Sequence, residues 1–118
     1  MKKDNLIQIK SYDFSVKIVL ACKCLMDERK EFILSKQLMR SGTSIGANVE
    51  EAIGGFSKKD FYHKLTISYK GARESLYWIR LLHDTGYLSQ EDKSKLIIDC
   101  EEILKIIGSI LKTLRNEN

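Results

Sequence analysis

Apolar residues recur at alternating steps of four and three along nearly the whole chain, the pattern of amphipathic helices packed side by side. Four segments carry it. The first runs from about Ser11, a candidate N-cap, to Asp27, with Phe14, Ile18, Ala21 and Leu25 on one face and Val16, Leu20 and Cys24 on another. So broad an apolar surface predicts contact with more than one neighbour, inside the monomer or in an oligomer. The second runs from about Glu31 to Ile53, with Leu34, Leu38, Ser41, Ile45, Asn48 and Ala52 along its seam and Gly54-Gly55 as its stop. Ser57 and Asp60 form a capping-box-like start for the third, which continues to about Asp84 along Phe61, Leu65, Ser68, Ala72, Ser75, Ile79 and Leu82. Thr85-Gly86-Tyr87 breaks it. Ser89 and Asp92 repeat the start signal, and the fourth helix follows with Leu96, Cys100, Ile103, Ile107, Ile110 and Leu114.

Such helices reach roughly 25 to 42 Å at 1.5 Å per residue, long enough to pack lengthwise, and short links make successive ones antiparallel. The expected architecture is all-α, an antiparallel up-down-up-down four-helix bundle. It forms one domain over residues 1–118, with 1–10 as an N-terminal extension and 116–118 as a frayed tail.

The second helix contains the one stretch that helix propensity argues against, Arg40-Ser41-Gly42-Thr43-Ser44-Ile45-Gly46-Ala47-Asn48. Each interior glycine costs about 1 kcal/mol relative to alanine, so Gly42 and Gly46 imply an offsetting close approach of another helix. Gln37, Ser41, Ser44, Asn48 and Glu51 form a polar stripe beside the seam that can hydrogen-bond across to Ser68 and Ser75. The stripe suits close packing with satisfied polar groups, and it also suits a ligand or partner site. Arg40 and Glu74 suit an ion pair between neighbouring helices.

Composition supports the helical reading: there is no proline, only 7 glycines in 118 residues, 43% hydrophobic residues and 31% charged ones. A net charge of +4 is too small to suggest disorder. The N-terminal residues lack the apolar core and cleavage site of a signal peptide, and the longest apolar runs fall far short of the ~20 residues that span a bilayer. A soluble cytoplasmic protein is expected, without membrane contact. Cys22 and Cys24 point about 200° apart on a helix, and Cys100 is remote, so reduced, mostly buried thiols are expected rather than a disulfide or metal site.

The positive charge is unevenly placed. Between Lys36 and Arg80 there are eight basic and four acidic residues, whereas from Asp84 onward there are five basic and seven acidic ones. On the third helix Lys59, His63, Thr66, Lys70, Arg73, Tyr77 and Arg80 recur at steps of four and three, with no acid in the row. The row lies opposite the Phe61-Leu65 seam and is predicted to face solvent. Cations along a helix can track phosphates while Tyr77 stacks on a base, so RNA or DNA is one candidate partner. An ordinary solvated face is the alternative. Trp78 and Leu82 suit a helix or subunit interface.

Catalytic patterns are weak. Asp60-x-x-His63 is the nearest approach to the paired Glu-x-x-His of a bundle metal centre, and it stands alone; no H-E-x-x-H, G-x-S-x-G, phosphate-binding loop or dinucleotide glycine pattern occurs. A non-enzyme without cofactor or metal is expected.

Gln37-Leu38-x-Arg40-Ser41-x-x-Ser44-Ile45-x-Ala47-Asn48-x-x-Glu51-Ala52 resembles the central motif of the small bacterial four-helix bundle proteins first noticed as products of intervening sequences in 23S rRNA genes. Ser57-Lys58-Lys59-Asp60-Phe61, Ile67-Ser68-x-Lys70-x-Ala72-x-Glu74 and Tyr77-Trp78 resemble its second block. Ala52 departs from a common Gly, Gly46 from a common Pro and Gly71 from a Glu. The resemblance implies a homopentamer of no established activity. Similar proteins include the accessory subunit of diversity-generating retroelements, a basic pentamer that binds nucleic acid and a reverse transcriptase. The resulting expectation is a non-catalytic oligomer with a nucleic-acid-binding basic face; the alternative is a protein-protein adaptor using the apolar face of the first helix and Trp78.

Overall fold

The computed structural model describes residues 2–117, which form four helices: α1 (Lys2–Arg29), α2 (Ile33–Ile53), α3 (Lys58–Asp84) and α4 (Gln90–Asn116). Each helix packs on its chain neighbours, and α1 also packs on α4, which closes the antiparallel up-down-up-down bundle. No diagonal pair makes contact among the described residues, so α1 and α3 occupy opposite corners. The bundle measures 47 × 21 × 20 Å.

The seams of α2, α3 and α4 fall where the periodicity places them. Leu38, Ser41, Ile45 and Ala52 of α2, Leu65, Ser68, Ala72, Ser75, Ile79 and Leu82 of α3, and Leu96, Cys100, Ile103, Ile107 and Ile110 of α4 are all buried. Both predicted serine caps form: Ser57 Oγ accepts the Asp60 N–H and Ser89 Oγ the Asp92 N–H, each at 3.1 Å.

The first helix departs from expectation. It begins at Lys2, and residues 2–10 belong to it rather than to an extension. Ser11 is a buried mid-helix residue whose hydroxyl donates to the Gln8 carbonyl. The reason is packing: Ile7 continues the Phe14–Ile18–Cys22–Leu25 face into the core, and the helix is maintained to bury it. Asn116 closes α4 and Asn118 lies outside the described residues.

The α2 start also differs. Glu31 precedes the helix, and its carboxylate accepts the backbone N–H groups of Ile33, Leu34 and Ser35 and the Ser35 hydroxyl. A buried acid therefore satisfies the first turn of α2.

Close approaches explain the glycines. A Cβ on Gly42 would stand 2.9 Å from Ile18 Cγ2, and one on Gly46 would stand 3.2 Å from the Ser11 carbonyl, so this pair admits α1 against α2. Gly71 does the same between α3 and α2, where a Cβ would lie 2.7 Å from Ser44 Oγ and 3.2 Å from the Ser41 carbonyl. Gly86, at φ +89°, supplies the left-handed residue of the α3–α4 turn.

Candidate nucleic-acid interface

The polar stripe of α2 separates into two roles. Ser41 and Ser75 share a buried hydrogen bond of 2.9 Å between their hydroxyls, and Ser75 also donates to the Gly71 carbonyl. Ser68 donates across the seam at 2.8 Å, but to the Ile45 carbonyl and not to a stripe side chain. Ser44 and Asn48 turn back onto their own helix, bonding the carbonyls of Ser41 and Ser44. These contacts satisfy the core polar groups and fix the α2–α3 register.

Outside that buried layer, charged pairs cross between helices. Arg40 pairs with Glu74 and also donates to Gln37 Oε1. Lys64 pairs with Glu51 at 2.8 Å, and Lys58 reaches Glu117, the residue that follows α4, at 3.2 Å. On the α1–α4 side Lys10 pairs with Glu102, and Lys17 with Asp99. Glu74 is further engaged by the Trp78 indole, whose N–H donates to it at 2.8 Å. That hydrogen bond and the Arg40 guanidinium hold the Glu74 carboxyl below the usual carboxylate range against the opposing effect of partial burial. Trp78 is half-buried and meets Tyr77 edge-on, with ring centroids 5.0 Å apart.

The outer face of α3 is arranged differently. Lys59, His63, Lys70, Arg73, Tyr77 and Arg80 are all exposed, and Thr66 is half-buried within the row. Among the described residues, Lys59, Lys70, Arg73 and Arg80 enter no salt bridge. From Lys59 to Arg80 the row extends roughly 32 Å at 1.5 Å per residue. Several basic residues that point between helices pair with carboxylates, whereas Lys59, Lys70 and Arg73 on the outer face of α3 form no salt bridge, and Arg80 forms none but stands within electrostatic reach of Asp84.

Two cysteines follow expectation and one does not. Cys22 and Cys100 are buried, and burial pushes both thiols up to about 12. Cys24 is exposed, because the Val16–Leu20–Cys24 line lies on the side of α1 that neither α2 nor α4 covers. Its thiol donates to Glu28. Asp60 and His63 acquire no companions: no group of three or more His, Cys, Asp or Glu side chains suited to a metal occurs among the described residues. No described helix is long and apolar enough to cross a membrane.

Fold and surface together define a small all-α bundle protein whose polar interior is structural and whose α3 carries a row of exposed cations on its outer face. The chain belongs to the 23S rRNA-intervening sequence protein family, which it matches over residues 3–109. It is also similar, at 47% identity and a TM-score of 0.91, to the crystal structure of a protein of unknown function from the S23 ribosomal protein family of Bacteroides thetaiotaomicron, with 93% of this chain and 98% of that one covered. No curated protein matches the chain.

Proposed function

We propose that this chain is a cytoplasmic, non-catalytic helical protein that assembles as a homopentamer and binds RNA or DNA along the outer face of α3. The observation that carries the binding is the exposed row of Lys59, Lys70, Arg73 and Arg80, none of which enters a salt bridge among the described residues, with His63 and Tyr77 exposed among them. Phosphates can align with the cations while a base stacks on the Tyr77 ring. The pentamer rests on resemblance to the family's known architecture, and nucleic-acid binding gains support from the similar accessory subunit of diversity-generating retroelements. Within this reading Gln37, Arg40, Ser41, Ser44, Asn48, Glu51 and Glu74 shape and lock the α2–α3 pair that presents the row.

A fluorescence titration with a labelled oligonucleotide at low and moderate salt tests it. Binding that weakens steeply with salt and disappears when Lys59, Lys70, Arg73 and Arg80 are changed to Glu supports the reading. Absence of binding at low salt, or binding indifferent to those changes, rejects it. A second reading, a protein-directed adaptor, is favoured by Phe56, which is fully exposed beside Ile53, Phe61 and Leu114 at one end of the bundle. One protein partner recovered after nuclease treatment, and lost in Phe56→Ser, supports that version.

A further inference from the structure

The charge of α4 changes sign along its length. Residues 91–102 hold Glu91, Asp92, Asp99, Glu101 and Glu102 against Lys93 and Lys95, whereas residues 103–116 hold Lys105, Lys112 and Arg115 and no acid. These three cations are exposed, and among the described residues none enters a salt bridge. With Gly108 they form a stripe at steps of three, four and three. Gly108 is the member that sets the stripe beside α3, because a Cβ there would stand 3.6 Å from Tyr69 Cε2. The benefit of a cation at a helix C-terminus is confined to the last turn, so it accounts for Arg115 and not for Lys105, about three turns back.

The contact of Tyr69 with Gly108 and the pair of Lys58 with Glu117 fix the antiparallel register of α3 and α4. That register lays the α4 stripe alongside the stretch of α3 between Lys59 and Arg73. Helices in contact stand about 8 to 10 Å apart, so long basic side chains on the two crests reach into the same groove. At the Lys59 end the groove opens into a cleft of about 430 Å³ lined by Lys58, Lys59, Tyr62, Leu114 and Glu117. Tyr62 is half-buried there and, unlike Tyr69, is not packed against the core. The nearby carboxylates are turned elsewhere or engaged: Asp60 lies against Gly55, Glu102 pairs with Lys10 of α1, and Glu117 pairs with Lys58. Glu101, one step of four before Lys105, marks where the positive stretch ends.

We infer that the groove between α3 and α4 seats a single nucleic-acid strand, with Lys105, Lys112 and Arg115 as a second wall of phosphate contacts beside Lys59, Lys70 and Arg73, and with Tyr62 as a base platform between the walls. The inference rests on the nucleic-acid reading proposed above and widens its footprint from one helix face to a two-walled channel. Cations on both sides of an aromatic suit a flexible single strand, whose backbone follows the groove while a base turns in onto the ring. A duplex keeps its bases stacked inside, so it meets the cations but not Tyr62.

Lys105→Gln/Lys112→Gln/Arg115→Gln tests the second wall against Lys23→Gln/Lys30→Gln/Lys95→Gln, which removes the same net charge from exposed positions toward the other end of the bundle. Helical content and melting temperature check that each variant folds. With a labelled 12-nucleotide oligo(dT), the α4 variant is expected to lose at least tenfold in affinity at moderate salt. Its slope of log affinity against log salt is expected to shrink by about 2, three phosphates at about 0.7 each. The control variant is expected to stay within about threefold of the parent with its slope unchanged. Tyr62→Leu is expected to keep the slope, to lose at least about fivefold on oligo(dT) and to change binding of a 12-base-pair duplex by less than about twofold. Binding that survives the α4 substitutions, or falls as far in the control, overturns the second wall; loss of binding in Lys70→Glu/Arg73→Glu then leaves the α3 row standing by itself. Equal losses of single strand and duplex in folded Tyr62→Leu overturn the channel as a single-strand seat. No binding of either oligonucleotide to the parent chain rejects the row and the channel together.

Discussion

Arg40 of α2 and Glu74 of α3 form an ion pair across the helix seam, and the Glu74 oxygen that meets the guanidinium also accepts the indole N–H of Trp78. The indole hydrogen bond and the Arg40 guanidinium, whose side chain is 59% exposed to water, both lower the carboxyl. Trp78→Phe and Arg40→Met are therefore each expected to raise the Glu74 pKa, as read by a carboxyl-resolved NMR titration. A double-mutant cycle between positions 40 and 74 should give a coupling below about 1 kcal/mol, as screened pairs do.

Two glycines with different surroundings give opposite expectations. At Gly71 a methyl group collides with Ser44 Oγ and crowds the fixed Ser41 carbonyl, so Gly71→Ala should lower stability by about 1 to 3 kcal/mol despite its better helix propensity. At Gly108 the nearest atom is Tyr69 Cε2, 3.6 Å from the Cβ position, which is ordinary contact. Gly108→Ala should be neutral or stabilising by up to ~1 kcal/mol. Urea unfolding of the two variants beside the parent chain measures both effects.

The seams of α2 to α4 are legible in the sequence because their alternating spacing of four and three is unbroken even where a serine takes an apolar position, and serine caps mark two of the starts. The beginning of α1 is not. Among the described residues its one buried apolar residue before Ser11 is Ile7, and a serine reads equally well as a cap or as a small residue at a helix crossing. Only the approach of Gly46 to the Ser11 carbonyl decides between them. Gly71 reads as a departure from a motif until Ser41 and Ser44 are seen against it. For the candidate interface, period alone places the row on one face of α3. What period cannot supply is pairing: Lys64 finds Glu51 on α2, whereas Lys70 enters no salt bridge, and the Lys64 pair depends on the neighbouring helix.

The Glu31 cap makes part of the stability pH-dependent. Burial alone would raise this carboxyl, but the backbone N–H groups of Ser35, Leu34 and Ile33 and the Ser35 hydroxyl outweigh it and hold the carboxyl below its ordinary value of 4.5. The unfolded chain therefore takes up this proton at higher pH than the folded one. The contribution is fully present above 4.5 and is lost as pH falls through the lower folded value. Glu31→Gln should cost about 1 kcal/mol at neutral pH, the scale of a lost cap. That difference should shrink progressively below pH 4.5. Thermal melts of both proteins from pH 7 down to about 3 test it.

Salt titrations can separate what the cations of the α3 row contribute from what Tyr77 contributes. Four permanent charges, Lys59, Lys70, Arg73 and Arg80, predict a slope of log affinity against log salt of about −3 to −4 for one subunit's row. Replacing any one of them by Gln should reduce the magnitude by about 0.7 to 0.9 and weaken all sequences alike. Tyr77→Ala removes no charge, so it should leave the slope unchanged. Its effect falls on stacking instead: a loss of about 1 to 3 kcal/mol on single strands, whose bases can lie against the ring, and little on a duplex. Equal losses on single strand and duplex would mean that Tyr77 supports α3 rather than contacting a base, and the single-strand preference would have to be abandoned.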